Sequence, residues 1–347
     1  MSAAAQAELR QVTAAIGRDP MLTQGAGGNT SVKCDGELWV KASGAWMRDA
    51  EERSIFVPVR LDVLVEAVAR ADEPALDALM RASVTSDGLR PSIEAAMHAV
   101  MPQRAVVHAH AINSTICAVL ADGEARFRGA VDEIGVSGCV IPYIKPGLSL
   151  ALEIARLNAE SGAADILLLQ NHGVVVAAEG MREAYDLLCA IERALDFPVR
   201  MQFEQSSMDV DDGPVAPGFE RDDAHAAIAR DVELCAALAA APLTPDQVVF
   251  LGGAPCVVRP DETLEAAARR AFAESGVAPA LFYLPGKGAF RRANLTAGET
   301  AQCEALAEIA RRLPRDCAVV GLETDAARAL GAWEAEQFRR AADAARA

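Results

Sequence analysis

The sequence predicts an α/β fold followed by a second, smaller α/β part, and three observations carry that prediction. Apolar runs of strand length alternate with stretches of helical periodicity over about the first two hundred residues. Polar and glycine-rich clusters sit where those runs end. A stretch rich in Ser, Asp, Pro and Gly at 206–223 then interrupts the pattern, and a shorter alternation of the same kind follows it.

In chain order, a helix over 5–18 leads into the glycine-rich turn GAGGNTSVK and then a strand over 37–41. A β-like run at 54–59 precedes an amphipathic helix at 61–70. Arg90-Pro91-Ser92 reads as a helix start, with Ser92 able to cap a helix over 93–100. A strand at 105–111 is followed by a helix from Ser114, and a strand at 136–143 ends before Pro146-Gly147 and a helix at 149–159. The apolar run 165–169, the turn Asn171-His172-Gly173 and the strand 174–177 lead into a long helix starting at Met181. Beyond the linker, a helix is expected at 224–240, strands at 248–251, 280–284 and 317–322, helices at 263–274 and 298–312, and a last helix from Asp325. The resulting division is a first domain over 1–207, a linker and helix over 208–242, and a small α/β domain over 243–347.

Hydrophobic residues make up 52% of the chain, ample for a packed core. The net charge of −16 argues against nonspecific binding to nucleic acid or an acidic membrane, because phosphate contacts need clustered Lys and Arg. An anionic substrate would have to be held by local donors against that field. The N-terminus lacks the basic start and apolar stretch of a signal peptide, and no apolar run is long enough to span a bilayer. The eight cysteines are scattered in apolar contexts without a CxxC pair, which reads as reduced thiol. The expected location is the cytoplasm.

Three of the five histidines fall at strands or strand ends of the first domain. His108 and His110 lie two apart in VVHAHA, so in a strand both imidazoles point to one side. His172 follows ILLLQ, where a buried strand ends and Gly173 lets the backbone turn. Three neutral imidazoles would leave a divalent ion its charge and an open position for substrate. By spacing alone, an HxH pair serves equally well as two structural histidines, and nothing in the spacing brings His172 to it. His98 reads as a core or surface histidine, and His225 as a solvated one.

The segments GAGGNTSVK, WVKASG, RPSIEAAMH, VVHAHAINST and LLLQNHGVVVA, in this order, resemble the class II aldolase/adducin family over about two hundred residues, where any one motif alone would be weak. That family includes fuculose- and rhamnulose-1-phosphate aldolases, a ribulose-phosphate 4-epimerase and decarboxylases of 3-oxo sugar acid phosphates. The resemblance implies a three-layer α/β/α sandwich on a mainly antiparallel sheet. It places His108, His110 and His172 on the metal histidines, holding Zn²⁺ or another divalent ion such as Mn²⁺ or Co²⁺. Glu94 falls on the acid/base carboxylate, which in the family can also be a fourth ligand. Gly28, Asn29, Ser43, Gly44 and Ser92 fall on the phosphate-binding segments, and Ile93 stands where some members have a second serine. Lys33, Lys41 and Arg90 are candidates to compensate. Tyr143 matches a tyrosine that reaches a neighbouring subunit's site and can protonate the departing aldehyde.

The activity so implied is reversible aldol cleavage of a ketose 1-phosphate or related sugar phosphate through a metal-bound enediolate, in a homo-oligomer, with a tetramer favoured. Decarboxylation of a 3-oxo sugar acid phosphate would use the same residues. An adducin-like scaffold without catalysis is the rival of another class. In the last part of the chain, TPDQVVFLGG, YLPGKGAF and WEAEQF resemble the segment between the two catalytic parts of bifunctional rhamnulose-1-phosphate aldolase/dehydrogenases, with a role in assembly or in covering the site.

Overall fold

The structure, a computed structural model, describes residues 1–201 and 215–345. Within it the chain divides into two compact units, Met1–Ala118 with Gly123–Asp196, and Val119–Asp122 with Phe197–Ala347. The first unit thus ends at Asp196, short of the expected 207.

Seven strands make the sheet of the first unit: β1 Asn29–Cys34, β2 Glu37–Lys41, β3 Phe56–Arg60, β4 Ala105–Ala109, β5 Gly138–Ile141, β6 Ile166–Leu169 and β7 Gly173–Ala178. Their order is β3-β2-β1-β4-β7-β6-β5, and every pairing is antiparallel except β5 with β6. Helices Ala3–Arg18, Gly123–Ile134 and Met181–Leu195 cover one face. Helices Leu61–Ala69, Glu73–Ala82, Ala95–Val100 and Leu148–Ser161 cover the other. The unit is therefore the three-layer sandwich with a mainly antiparallel sheet. Covering on both faces explains why β6 and β7 are buried along their whole length and read as unbroken apolar runs.

The least expected element is β1. GAGGNTSVK ends in the turn its glycines suggest, but its second half pairs with both β2 and β4 near the centre of the sheet. Asn29 and Ser31 point to one face of β1, while Thr30 on the other bonds Thr13 of the first helix at 2.6 Å. Two helices escaped the periodicity reading, Glu73–Ala82, capped by Asp72, and Gly123–Ile134.

The second unit holds a four-stranded sheet of β8 Phe219–Arg221, β9 Cys256–Val257, β10 Leu281–Leu284 and β11 Gly288–Arg292 in the order β8-β11-β10-β9. Residues 206–214 of the expected linker lie outside the described residues, and its end forms β8. The run 248–251 is no strand. It closes the helix Pro245–Leu251, which Pro245 opens at its first position and Gly252 ends in the left-handed region at φ 74°. The parallel strand before helix Leu264–Ser275 is β9 instead. Residues 317–322 carry only an isolated bridge between Leu120 and Val319. The helix expected at 224–240 breaks in two because Asp222 and Asp231 each cap a separate segment. Pro285–Gly288 is a hairpin turn between β10 and β11. His225 is buried, not solvated, between the Tyr283 hydroxyl at 2.7 Å and the Cys303 carbonyl at 2.9 Å.

Candidate metal centre

β4 delivers two histidines and the β6–β7 turn a third. His108 lies on β4, His110 just past its end, and His172 in the turn between Leu169 and Gly173. Asn171 adopts φ 54°, a left-handed conformation that asparagine tolerates, and so turns His172 inward. Gly173 is held against β4: a Cβ there would meet the Ala109 carbonyl at 2.5 Å. The three buried side chains converge, with one ring nitrogen of each within 4.8 Å of the others.

The set fits a divalent cation. His108 Nδ1 donates to the Val174 carbonyl at 3.0 Å, which leaves the Nε2 lone pair facing its neighbours. His110 Nε2 stands 3.1 Å from His108 Nε2. Two nitrogens bound to one tetrahedral zinc at about 2.0–2.1 Å would stand about 3.3 Å apart. Glu94 Oε1 lies 3.5 Å from Nε2 of both His108 and His172, is buried, and has no hydrogen-bond partner among the described residues. A buried carboxylate oxygen without a donor is costly, and a cation beside it removes the cost. Burial by itself would raise this carboxyl, but His108, His172 and the Asn29 amide outweigh it and bring it down to about 2. Glu94 is therefore ionised across the neutral range.

The other carboxylate oxygen is held. Asn29 Nδ2 donates to Glu94 Oε2 at 2.7 Å and to Ser92 Oγ at 3.1 Å. Ser92 does not cap the following helix in the expected way. Its hydroxyl accepts from Glu94 N at 3.2 Å, and the helix Ala95–Val100 begins after Glu94. With two protons accepted, the Ser92 hydroxyl keeps its own proton to give away.

The glycine-rich turn is locked onto the same place. Gly28, at φ 60°, packs so closely that a Cβ would stand 2.6 Å from the His108 carbonyl. Beyond β2, the Ser43 amide donates to Arg90 O at 2.8 Å and the Ser92 amide to Lys41 O at 3.1 Å, which sets the Ser43-Gly44 turn beside Ser92. Lys41 is buried, and its ammonium bonds Ala26 O at 3.3 Å and Ala45 O at 2.5 Å, tying the two turns together. Lys33 instead bonds the Met101 and Gln103 carbonyls, at 2.9 Å for the latter, and burial lowers it to about 8. Tyr143 follows β5 by two residues and is half-buried. Ile141 pairs with Leu169, so Tyr143 and His172 leave the same end of the sheet. β6 and β7 intervene between β5, which ends two residues before Tyr143, and β4, which carries His108.

Two residues of this network escaped the sequence reading. His98 is buried, one helical turn beyond Glu94, and joins Ser31 Oγ at 2.7 Å to Asn29 Oδ1. Burial lowers its ring to about 3, so it is neutral. The signals were present as Glu94 and His98 at i, i+4 and Asn29 and Ser31 at i, i+2. Just past His110, Glu192 holds the start of helix Ile112–Val119, accepting from the amides of Asn113 at 3.0 Å and Ser114 at 2.8 Å.

Residues 7–198 match the N-terminal domain of class II aldolases and adducin. A curated relative from Bacillus subtilis, named uncharacterized oxidoreductase YuxG, is 31% identical over 190 residues, or 51% of this chain and 27% of its own length. The chain therefore spans about a quarter of that relative. Among solved structures, the N-terminal class II aldolase domain of a Thermoplasma acidophilum protein is 28% identical with a TM-score of 0.47, covering 54% of this chain and 90% of its own. L-fuculose-1-phosphate aldolase from Thermus thermophilus is 19% identical with a TM-score of 0.39, covering 56% and 92%.

Proposed function

The chain belongs to the class II aldolase and adducin family, and on that premise we propose that it catalyses reversible aldol cleavage of a sugar phosphate, a ketose 1-phosphate or a close relative. The observation that carries the reading is the buried Glu94 Oε1, 3.5 Å from two imidazoles of a convergent triad and bonded to no donor among the described residues. An adducin-like scaffold has no use for an ionised carboxylate buried in that position.

His108, His110 and His172 would hold the metal, with Glu94 as a further ligand before substrate enters. A divalent cation there supplies Lewis acidity, drawing electron density from a carbonyl and its neighbouring hydroxyl. The chain's own residues do the rest. Glu94 takes the hydroxyl proton at Oε1, the carbon–carbon bond breaks, an aldehyde departs and the bonding pair stays on the other fragment until it is reprotonated. Asn29, expected among the phosphate donors, spends its amide protons on Glu94 and Ser92 instead and holds Oε2 so that Oε1 stays directed to the triad. Gly28, the Ser43-Gly44 turn and the Ser92 hydroxyl supply donors for the phosphate, and Lys41 sets the two turns at their spacing. Tyr143 of a neighbouring subunit in a homo-oligomer, a tetramer in this reading, hydrogen-bonds the oxygen of the departing aldehyde and gives up its proton there only in the reverse, condensing direction, while the proton taken by Glu94 returns to the other fragment.

The test is to incubate the Zn²⁺-loaded protein with ketose 1-phosphates and with 3-oxo sugar acid phosphates, scoring aldehyde and carbon dioxide separately. Aldehyde release that stops on chelation is the expected result. Carbon dioxide alone would make the protein a decarboxylase on the same residues, and neither product from the loaded protein would end the reading.

A further inference from the structure

His98 is sealed from solvent on the helix that begins after Glu94, and its two ring nitrogens have different partners. The Asn29 amide oxygen can only accept, so His98 Nε2 must carry the proton that bonds it. Nδ1 then carries the lone pair and accepts from the Ser31 hydroxyl at 2.7 Å. With its oxygen fixed on His98, the Asn29 amide must present its nitrogen to the other side, where Glu94 Oε2 at 2.7 Å and Ser92 Oγ at 3.1 Å take its two protons. Ser31, His98, Asn29 and Glu94 thus form a chain of donors that closes in one direction only. Reversed, it would set the Asn29 oxygen against Glu94 Oε2, two acceptors at hydrogen-bond distance, which is tolerable only if Glu94 is protonated.

We infer that His98 is a positioning residue: it fixes the orientation of the Asn29 amide and thereby the direction in which Glu94 holds its free carboxylate oxygen toward the imidazole triad. The role in turnover rests on the aldol reading of that site, while the positioning itself does not. Ser31 and Asn29 lie two apart on one face of β1, and Glu94 and His98 one turn apart on the helix, so two rigid elements hold the chain of bonds at both ends. Without the imidazole N–H, the Asn29 oxygen loses its donor and the amide is held in this orientation from the Glu94 side alone, so its grip on Oε2 loosens.

Nitrogen NMR of the full chain, with ¹⁵N-labelled histidine, reads the tautomer without any substrate. The resonance lost in His98→Gln should belong to a neutral ring protonated at Nε2, unchanged from pH 6 to 8, with or without Zn²⁺. A ring protonated at Nδ1, or one that titrates in that range, overturns the inference. Turnover is the second reading. His98→Gln places an amide donor where Nε2 stood, whereas His98→Asn reaches only the Ser31 side. The Asn variant should have a kcat about thirtyfold or more below that of the Gln variant, with KM and bound zinc within about twofold of each other. Equal losses in the two variants, or a loss carried by KM or by metal content, also overturn it. If the wild-type protein cleaves no sugar phosphate, the aldol reading fails and the tautomer alone decides the positioning role, as it does if His98→Asn does not fold.

Discussion

Glu94→Gln is the substitution that separates the chemistry from the architecture. Glutamine has the shape of glutamate, and its oxygen can take the place of Oε2 and accept from Asn29, now 2.7 Å away. Its amide nitrogen then occupies the Oε1 position, 3.5 Å from Nε2 of His108 and of His172. Two things are lost there: the group that accepts a proton and the negative charge beside the cation. Loss of a positioned general base lowers turnover by about 10²- to 10⁴-fold, or roughly 3–5 kcal/mol in the barrier. The fold is not lost with it, because the glutamine fills the same space and keeps the bond from Asn29. Three imidazoles remain to hold the ion. The assay is steady-state aldehyde release by the zinc-loaded variant, with metal content and thermal midpoint measured on the same sample. The expected result is a kcat down by about a hundredfold or more with metal and fold retained. A kcat within about threefold of wild type would refute the assignment and make Tyr143 the next residue to test.

Three further outcomes follow from the geometry. Gly28→Ala puts a Cβ 2.6 Å from the His108 carbonyl at φ 60°, so it should cost about 2 kcal/mol or more of stability and weaken zinc binding, read by denaturant unfolding and metal titration. Ser92→Ala should weaken a phosphorylated substrate much more than its unphosphorylated counterpart, whereas Asn29→Ala, which frees Glu94 Oε2, should lower kcat on both; comparing kcat/KM on the pair checks this. Burial outweighs three hydrogen bonds and raises Glu192 to about 7, above its unfolded value near 4.5, so the folded state holds a proton the unfolded state has released. That contribution is complete below the unfolded value and is lost as pH rises through about 7, on the order of 3 kcal/mol, and Glu192→Gln should flatten the pH dependence of thermal unfolding over that window.

The parts legible in the sequence are those set by short-range rules. Two imidazoles two apart in a strand share a side whatever the fold, and the all-apolar β6 and β7 announce burial on both faces. Where packing decides, the reading failed in recognisable ways. The run 248–251 is apolar on every side because its helix is buried all round, so it lacks helical periodicity, and only Pro245 and Gly252 mark it. NTSVK is polar for a strand near the centre of a sheet, because Asn29 and Ser31 serve the site instead of the core. The bonds from Asn29 to Ser92, Glu94 and His98 join residues more than sixty positions apart, which no local pattern reports.

If His108, His110 and His172 form one metal centre, the ion itself can be counted. Protein purified without chelators and analysed by inductively coupled plasma mass spectrometry should carry about one divalent ion per chain, zinc, manganese or cobalt, and His108→Ala and His172→Ala should each lose it while staying folded. Full metal content in both variants, or no binding by the wild-type protein when Zn²⁺, Mn²⁺ and Co²⁺ are titrated in, would mean that the three histidines do not form a metal site.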